Sequence, residues 1–383
     1  MPRISDVIVI GAGIIGSAVA CELARRGARV HVIDPRGSAG QGATRASAGM
    51  LVPYLEGHPS GPLRELGVCS LRLYDGFVSE LVEEAGQPIE YERRGSLEVA
   101  VDEESAGRMK ASVAHLASGG VGAQFLDRQA VREHEPQLAA DVFAGILVPD
   151  HGYVVVRDLV GALMKSAVGR GAALEAAYVT RIVTEGAAVR VETSTGTTFA
   201  AGTVVLAAGS WSGRIPIAIG KGGGREAASL PVRPVRGQLL QLEWPDRRLA
   251  HIVWGPDCYV VPWKADGTAP SSVLVGATME EAGFDERATA AGVRDLLDAA
   301  CGLLPEAWRA GFAEVRVGLR PATPDALPVV GRSARSPALV YATGHYRNGV
   351  LLAPLTARLV GDLVIEGRED PALRLVAPDR FLS

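Results

Sequence analysis

The sequence predicts an α/β protein, with a Rossmann-like dinucleotide-binding domain assembled from discontinuous segments and a β-rich second domain set over it. Three observations carry this reading. The chain opens on an apolar run, a Gly-x-Gly-x-x-Gly turn and a helical pattern, then a second strand ending in an acid. Two further apolar runs end in glycine turns much later, at residues 203–209 and 338–344. Short alternating segments, as antiparallel strands require, lie between them. At 383 residues the chain has room for two or three domains. The dinucleotide-binding domain is expected at 1–90, 150–225 and 315–383, and the second, substrate-binding domain at 91–149 and 226–314.

Taken in order, Val7, Ile8, Val9 and Ile10 form a continuous apolar run, as a strand buried on both faces requires. The glycine turn follows, then a helical pattern to Arg26, with Gly27 as its C-cap. Residues 29–34 are the second strand, closing on Asp34. Between 63 and 85, Leu66, Leu71, Leu73, Phe77, Leu81 and Val82 recur at helical spacing, enough for one or two amphipathic helices. A strand is expected at 96–101, with helices at 103–118 and 156–168. Segments 179–183, 189–193 and 197–199 read as strands, 203–209 as a separate buried strand, and 220–224 as a flexible glycine loop. Strand-like stretches at 238–242, 259–262 and 272–276 precede a helix over 288–304 that stops before Pro305. The chain closes with a strand at 338–343, a glycine-bearing turn and a helix over 351–365.

Composition narrows the function. A hydrophobic fraction of 48% and a charged fraction of 21% exclude general disorder. Lys+Arg 39 against Asp+Glu 43 gives a net charge of −4, and basic residues cluster no further than pairs, so a nucleic-acid partner is not expected. Cys21, Cys69, Cys258 and Cys301 lie far apart and the seven histidines form no ligand spacing, which fits a reducing compartment and no metal site. The apolar run 7–21 is shorter than the roughly 20 residues of a membrane span and holds three glycines. No membrane partner is expected, and the location is read as cytoplasmic. A homo-oligomer is left open.

The opening unit has the chemistry of a dinucleotide cradle. Gly11 permits the tight turn, Gly13 lets backbone approach a pyrophosphate, and Gly16 allows close helix–sheet packing. The helix N-terminus presents N–H groups and partial positive charge to the pyrophosphate, and Asp34 can accept from a ribose diol. Further small-residue turns favour FAD in extended form over a nicotinamide. One runs from Gly42 to Met50, with hydroxyls at Thr44 and Ser47. Another is Ala207-Ala208-Gly209, and a third runs from Gly344 to Gly349. The helix that follows Gly349 would stabilise negative charge on a reduced isoalloxazine. The 220–224 cluster is neither a second fingerprint nor a P-loop, since Arg225 replaces the third glycine and Gly222 follows Lys221. One FAD and no nicotinamide site is the reading.

These residues resemble the D-amino-acid oxidase-like flavoproteins and, within them, the glycine oxidases. The resemblance runs nearly the whole chain, through Val9 to Gly16, Ala48-Gly49-Met50-Leu51, Gly209-Ser210-Trp211-Ser212, Asp257 to Pro262, Val275 to Met279, Gly318-Leu319-Arg320-Pro321 and Gly344 to Pro354. It implies a D-amino-acid oxidase-like fold, non-covalent FAD and oxidation of a small amino acid, with O2 reduced to H2O2. By the same resemblance Arg320 anchors the substrate carboxylate, Tyr259 and Arg347 assist, and Met279 lines the pocket. Diphosphate and ribose fall on Gly11, Gly13, Ile14, Ile15, Gly16 and Asp34. Ala43, Thr44, Arg45, Ala48, Gly49 and Met50 line the flavin side, Val179 the adenine region, with Ala208, Gly209 and Trp211 alongside. His345, Tyr346, Arg347, Asn348, Gly349, Val350 and Leu351 meet the isoalloxazine. The chain departs from the glycine oxidase pattern at Asp257, where a histidine occurs in some members, and in a longer turn at 265–271. Some relatives attach flavin through a late cysteine, and none follows Cys301.

An arginine fork pairs both oxygens of a carboxylate and thereby fixes the α-carbon. The implied reaction is hydride transfer from Cα to flavin N5, followed by hydrolysis of the imine to glyoxylate and ammonia or an amine. The substrate is glycine, as in thiamine-precursor supply, or an N-alkyl or N-carboxymethyl glycine, as in a tailoring pathway. Three alternatives stay open: a same-fold D-amino-acid or amine dehydrogenase with another electron acceptor, a flavin monooxygenase, and a non-catalytic flavin-binding module. The monooxygenase usually shows a late Gly-Asp turn, where Gly344-His345 stands. Each residue also has a structural reading: an ordinary ion pair for Arg320, a turn brace for Arg347, and packing for Tyr259 and Met279.

Overall fold

The computed structural model describes residues 3–55, 61–186, 188–220, 225–226, 229–244, 249–263 and 271–381. In chain order the elements that build the site are β1 (Arg3–Ile10), α1 (Ile14–Arg25), β2 (Val30–Asp34), β3 (Thr198–Leu206), β4 (Arg233–Glu243), β5 (Tyr259–Trp263), β6 (Ser272–Gly276), β7 (Gly311–Ala322), β8 (Ser336–Thr343) and α2 (Gly349–Gly361). The opening β-α-β unit and the final strand–turn–helix therefore form as the pattern predicts. The helices at 103–118 and 156–168 also form, as Glu103–Ser118 and Val156–Gly169.

A ten-stranded sheet has β2, β1, β3 and β8 side by side and parallel at its centre, with Val9 opposite both Val32 and Val205, and Val205 opposite Val340. Their continuous apolar runs follow from burial on both faces. On one face α1 and α2 pack into a shared core through Ala18, Val19, Leu23, Leu352, Ala353 and Leu359. The expected strands at 197–199 and 203–209 are one strand. Parallel pairing with β1, which runs from Phe199 to Leu206, carries β3 through Ala200 and Ala201 into Thr203. The other edge of β3 is divided, antiparallel to Ala188–Thr193 at its start and parallel to β8 at its end.

A second, eight-stranded sheet contains β7-β4-β6-β5 as adjacent antiparallel strands, followed by Ile252–Trp254, Ser96–Ala100, Ala144–Val148 and Gln124–Asp127. The expected boundary at 315 falls inside β7, which stays paired with β4 from Gly311 to Ala322. One face of this sheet packs Leu240, Val260, Val273 and Val275 against Leu296 and Ala300 of the helix Ala290–Leu303. The opposite face packs Leu239, Val261 and Leu274 against Ala48, Val52, Tyr153 and Val155. Residues 221–224 of the expected glycine loop and 265–270 of the entrance turn lie outside the described residues.

The last helix contains a proline that its environment accommodates. Pro354 has no N–H to give the carbonyl of Val350, and the buried hydroxyl of Tyr74 donates to that oxygen instead. Beyond Gly361 the chain makes one π-helical turn, Asp362–Glu366, before Gly367 reverses it.

Candidate active site

The glycine turn is a tight cradle at the carboxyl ends of β1 and β3, where open α/β sheets take ligands. Gly11 has φ 103°, and a Cβ there would stand 2.5 Å from the carbonyl oxygen of Ala207. A Cβ on Gly16 would stand 1.9 Å from the carbonyl oxygen of Gly11, so Gly16 brings α1 onto the turn and does not itself line the cavity. Asp34 ties β2 to this turn: its Oδ2 accepts from Ala12 N at 2.9 Å and its Oδ1 from Arg36 N at 2.9 Å. A carboxylate has about four acceptor directions, so two remain for a ribose diol. Thr44 Oγ1 accepts from Ile14 N at 3.0 Å, closing the loop 42–50 onto the first turn of α1.

A cavity of about 660 Å³ is lined by Gly11, Gly13, Ile14, Ile15, Asp34, Ala43, Thr44, Ala48, Gly49, Met50, Val179, Ala208, Gly209 and Trp211. Tyr259, Met279, Arg320, His345, Tyr346, Arg347, Gly349 and Val350 line the same cavity. Thus both expected sets of residues, cofactor and substrate, share one space. Besides Gly16, three expected members lie off it. Arg45 turns outward and pairs with Glu314 at 3.3 Å. Asn348 is buried at the N-terminus of α2, and Leu351 is buried in the core beside Gly67.

The residues expected at the substrate lie on one face of the second sheet. Arg320 on β7 leans over β4, where a Cβ on Gly237 would be 2.3 Å from its guanidinium. Tyr259 on β5 leans over β6, where a Cβ on Gly276 would be 2.3 Å from its hydroxyl. As β4 and β6 are neighbours, the two side chains reach toward each other over a floor of two glycines. Gly318 opens the same face to the loop 42–50, with its Cβ position 2.8 Å from the Ala46 methyl. Arg320 Nη1 donates to Thr278 O at 2.9 Å and Arg236 O at 3.4 Å. Among the described residues no carboxylate pairs with Arg320, which sets aside the ordinary ion-pair reading.

Tyr346 takes φ 49°, a left-handed conformation, and its hydroxyl donates to Met279 Sδ at 2.9 Å. His345 is buried with Nε2 3.0 Å from Thr356 Oγ1, and burial lowers its pKa to about 3, so it is neutral. Cys258 lines the cavity, but burial and then Asp257 push its thiol up to about 12. It is therefore a protonated thiol and no nucleophile.

Sequence reasoning missed Arg36, Glu286 and Thr278 as lining residues, and the two floor glycines. Arg36 pairs with Glu286 at 3.1 Å and stands 5.8 Å over Trp211, so the segment after β6 reaches across to the cofactor turns. The floor glycines had a readable signal, since glycine within a strand marks a close approach. A fitting cofactor is long, carries a diphosphate and needs a flat ring beside small residues. The cradle, Asp34 and the turns at Gly49 and Gly209 suit FAD in all three respects. Among the described residues no group of side chains could hold a metal ion, and no helix is long and apolar enough to cross a membrane.

Comparisons with known proteins agree with this geometry. The profile of the FAD dependent oxidoreductase family matches residues 6–363. Glycine oxidase of Geobacillus kaustophilus is 36% identical over 361 residues, covering 94% of this chain and 92% of that protein. The bifunctional ThiO/ThiG protein of Synechocystis is 33% identical and covers all of this chain, which spans 55% of that longer protein. The crystal structure of the Geobacillus kaustophilus glycine oxidase superimposes with a TM-score of 0.90 at 34% identity, over 100% of both chains. Iminodiacetate oxidase from Chelativorans superimposes with a TM-score of 0.85 at 26% identity, over 97% of this chain and 98% of that one.

Proposed function

This chain belongs to the FAD dependent oxidoreductase family and is an FAD-dependent amino-acid oxidase, and we propose that its substrate is glycine or a glycine substituted on nitrogen. The observation that carries the reading is Arg320, a guanidinium with no carboxylate partner among the described residues, set opposite Tyr259 over the glycine floor of the FAD cavity. When bound, FAD supplies the hydride acceptor and passes the electrons to O2, giving H2O2.

Arg320 takes the substrate carboxylate in a bidentate pair, braced from behind by the carbonyl of Thr278. Tyr259 donates its hydroxyl to the same carboxylate, and Arg347 adds positive charge beside it. Held at one end, the substrate turns its Cα–H bond toward the cofactor turns, and orientation is the main contribution of the protein. Neutral His345 is engaged with Thr356 and takes no proton, so the substrate reacts as the free amine. Hydrolysis of the imine yields glyoxylate with ammonia or an amine.

The similarity to an iminodiacetate oxidase supports room for a substituent on nitrogen. On this reading the FAD-binding domain comprises 1–90, 150–225 and 323–383, with β7 given to the substrate-binding domain because it pairs there throughout. The FAD is held without a covalent bond, and four uncoupled cysteines support a cytoplasmic location.

Anaerobic mixing with glycine, sarcosine, longer N-alkylglycines, iminodiacetate and D-amino acids tests the reading by bleaching of the flavin absorbance. Glycine or an N-substituted glycine should bleach fastest, and H2O2 should form on admitting air. Arg320→Ala should lose at least about 3 kcal/mol of transition-state stabilisation, roughly 150-fold in kcat/KM, with FAD retained. An unchanged kcat/KM removes Arg320 from the reaction.

A further inference from the structure

We infer that Met279 is a modification site: it captures H2O2 formed in its own cavity, as methionine sulfoxide, and this loosens the hold of Arg320 on the substrate carboxylate. The inference rests on the reading of Arg320 and of the oxidase reaction just given. Met279 lines the cavity that contains the FAD cradle, and it is 65% exposed. The other methionines among the described residues are shielded. Met109 and Met164 are buried, and Met50 is half-buried against the core under the second sheet. Peroxide oxidises thioethers and thiolates. Cys258 lines the same cavity, but it is buried and its thiol stays protonated, so it does not compete.

The sulfur belongs to a closed circuit of contacts with the anchor. Tyr346 donates its hydroxyl to Met279 Sδ at 2.9 Å and its main-chain N–H to the carbonyl of Pro321 at 3.0 Å. Pro321 follows Arg320, and Arg320 Nη1 donates at 2.9 Å to the carbonyl of Thr278, the residue before Met279. Tyr346 holds a left-handed φ of 49°, which leaves its backbone little freedom to follow a displaced ring. In the capture step a lone pair of Sδ forms a bond to one peroxide oxygen and the O–O bond breaks. The proton on the captured oxygen passes to the departing hydroxide and gives water, so sulfur is oxidised and peroxide reduced. One sulfur lone pair already accepts from Tyr346, and the other takes the oxygen. The oxidised sulfur is a poor acceptor, and the Tyr346 hydroxyl moves to the new S–O oxygen on another side. The circuit then opens at Sδ, and the shift reaches Arg320 through Pro321.

The test treats the FAD-loaded enzyme in two ways: with glycine and sarcosine in air beside excess catalase, and with reagent H2O2 in the absence of substrate. Peptide mass spectrometry should find one added oxygen on Met279 under both conditions, at least about fivefold more than on Met50, Met109 or Met164. Catalase clears peroxide from solution and is too large to enter the cavity, so oxidation that survives it arises within. Enzyme treated with reagent H2O2 and freed of it is then titrated with glycolate, which keeps the carboxylate of glycine and lacks its amine, and the flavin absorbance is read. Affinity should fall about threefold or more against the untreated sample. Met279→Leu and Tyr346→Phe, each compared with its own untreated sample, should keep their glycolate affinity. The first has no sulfur to oxidise, and in the second the circuit is already open. The inference is overturned by equal oxidation of the other methionines, by full protection with catalase, or by unchanged glycolate affinity in the treated unaltered enzyme. A fall in treated Met279→Leu or in treated Tyr346→Phe overturns it as well. Failure of the underlying reading looks different: neither substrate then forms H2O2, or Arg320→Ala binds glycolate as well as the unaltered enzyme, while reagent H2O2 still oxidises Met279.

Discussion

At the scale of single residues, the proposed carboxylate anchor depends on side chains that are absent. Gly237 and Gly276 sit within strands at ordinary negative φ, so space and not backbone conformation demands glycine there. A methyl group at 276 would coincide with the phenol of Tyr259, which has no room to stay over β6. Gly276→Ala should therefore swing the ring aside and lower kcat/KM by about tenfold or more through lost substrate orientation. FAD content should stay unchanged. Steady-state kinetics on the yellow variant checks this, and full activity would show that Tyr259 does not need its present position. The same reasoning explains why Arg45 lies off the cavity. Its long side chain starts in a loop of small residues closely packed on Gly318 and finds its partner, Glu314, outside.

At the scale of elements, α2 shows how a helix that meets the cofactor cavity tolerates a proline near its start. The lost N–H of Pro354 leaves the Val350 carbonyl without its helical donor, and Tyr74 replaces that donor from the helix Tyr74–Ala85. An unsatisfied buried carbonyl costs about 1–3 kcal/mol, so Tyr74→Phe should lower unfolding stability by that amount. Pro354→Ala restores an N–H at the right place and should recover most of the loss in the double variant. Urea unfolding monitored by far-ultraviolet circular dichroism measures both. A Tyr74→Phe protein as stable as the original would show that this hydroxyl bond contributes nothing net.

At the scale of the molecule, two buried histidines make stability depend on pH. His151 is held between the second sheet and the loop at Tyr54, with Nδ1 2.7 Å from Ser96 Oγ and Nε2 accepting from Tyr54 N at 3.4 Å. Burial lowers the pKa of His151 and of His345 from 6.5 to about 3, so both stay neutral in the fold. The unfolded chain takes up those protons below pH 6.5, hence stability falls as pH drops from 6.5 toward 3. Each histidine contributes about 1.4 kcal/mol per pH unit, or roughly 2 kcal/mol between pH 6.5 and pH 5. The paired carboxylates Asp362, Glu84 and Asp325 have lowered pKa values and act further down, as pH falls through the acid range. Thermal unfolding across pH 5–6.5 should show this slope, and His151→Gln should remove about half of it. An undiminished slope in that variant would place the linkage elsewhere.

Elements encoded within a few residues were legible in the chain itself. The β-α-β unit, the glycine cradle of its first turn and the helix 103–118 follow from periodicity and turn chemistry, whereas Arg320 was singled out by family resemblance and is proposed as the anchor. What only the tertiary structure decided depends on residues far apart in sequence. The joining of two expected strands into β3 needed β1 beside it, and the room for Arg320 came from Gly237 on another strand. The partition of two adjacent arginines, Arg236 paired with Glu280 and Arg320 left to the cavity, is set by which face each side chain meets. Sequence specifies local conformation through short-range sterics and hydrogen bonding. Space and charge pairing in a site arise from cross-strand register, which no single segment contains.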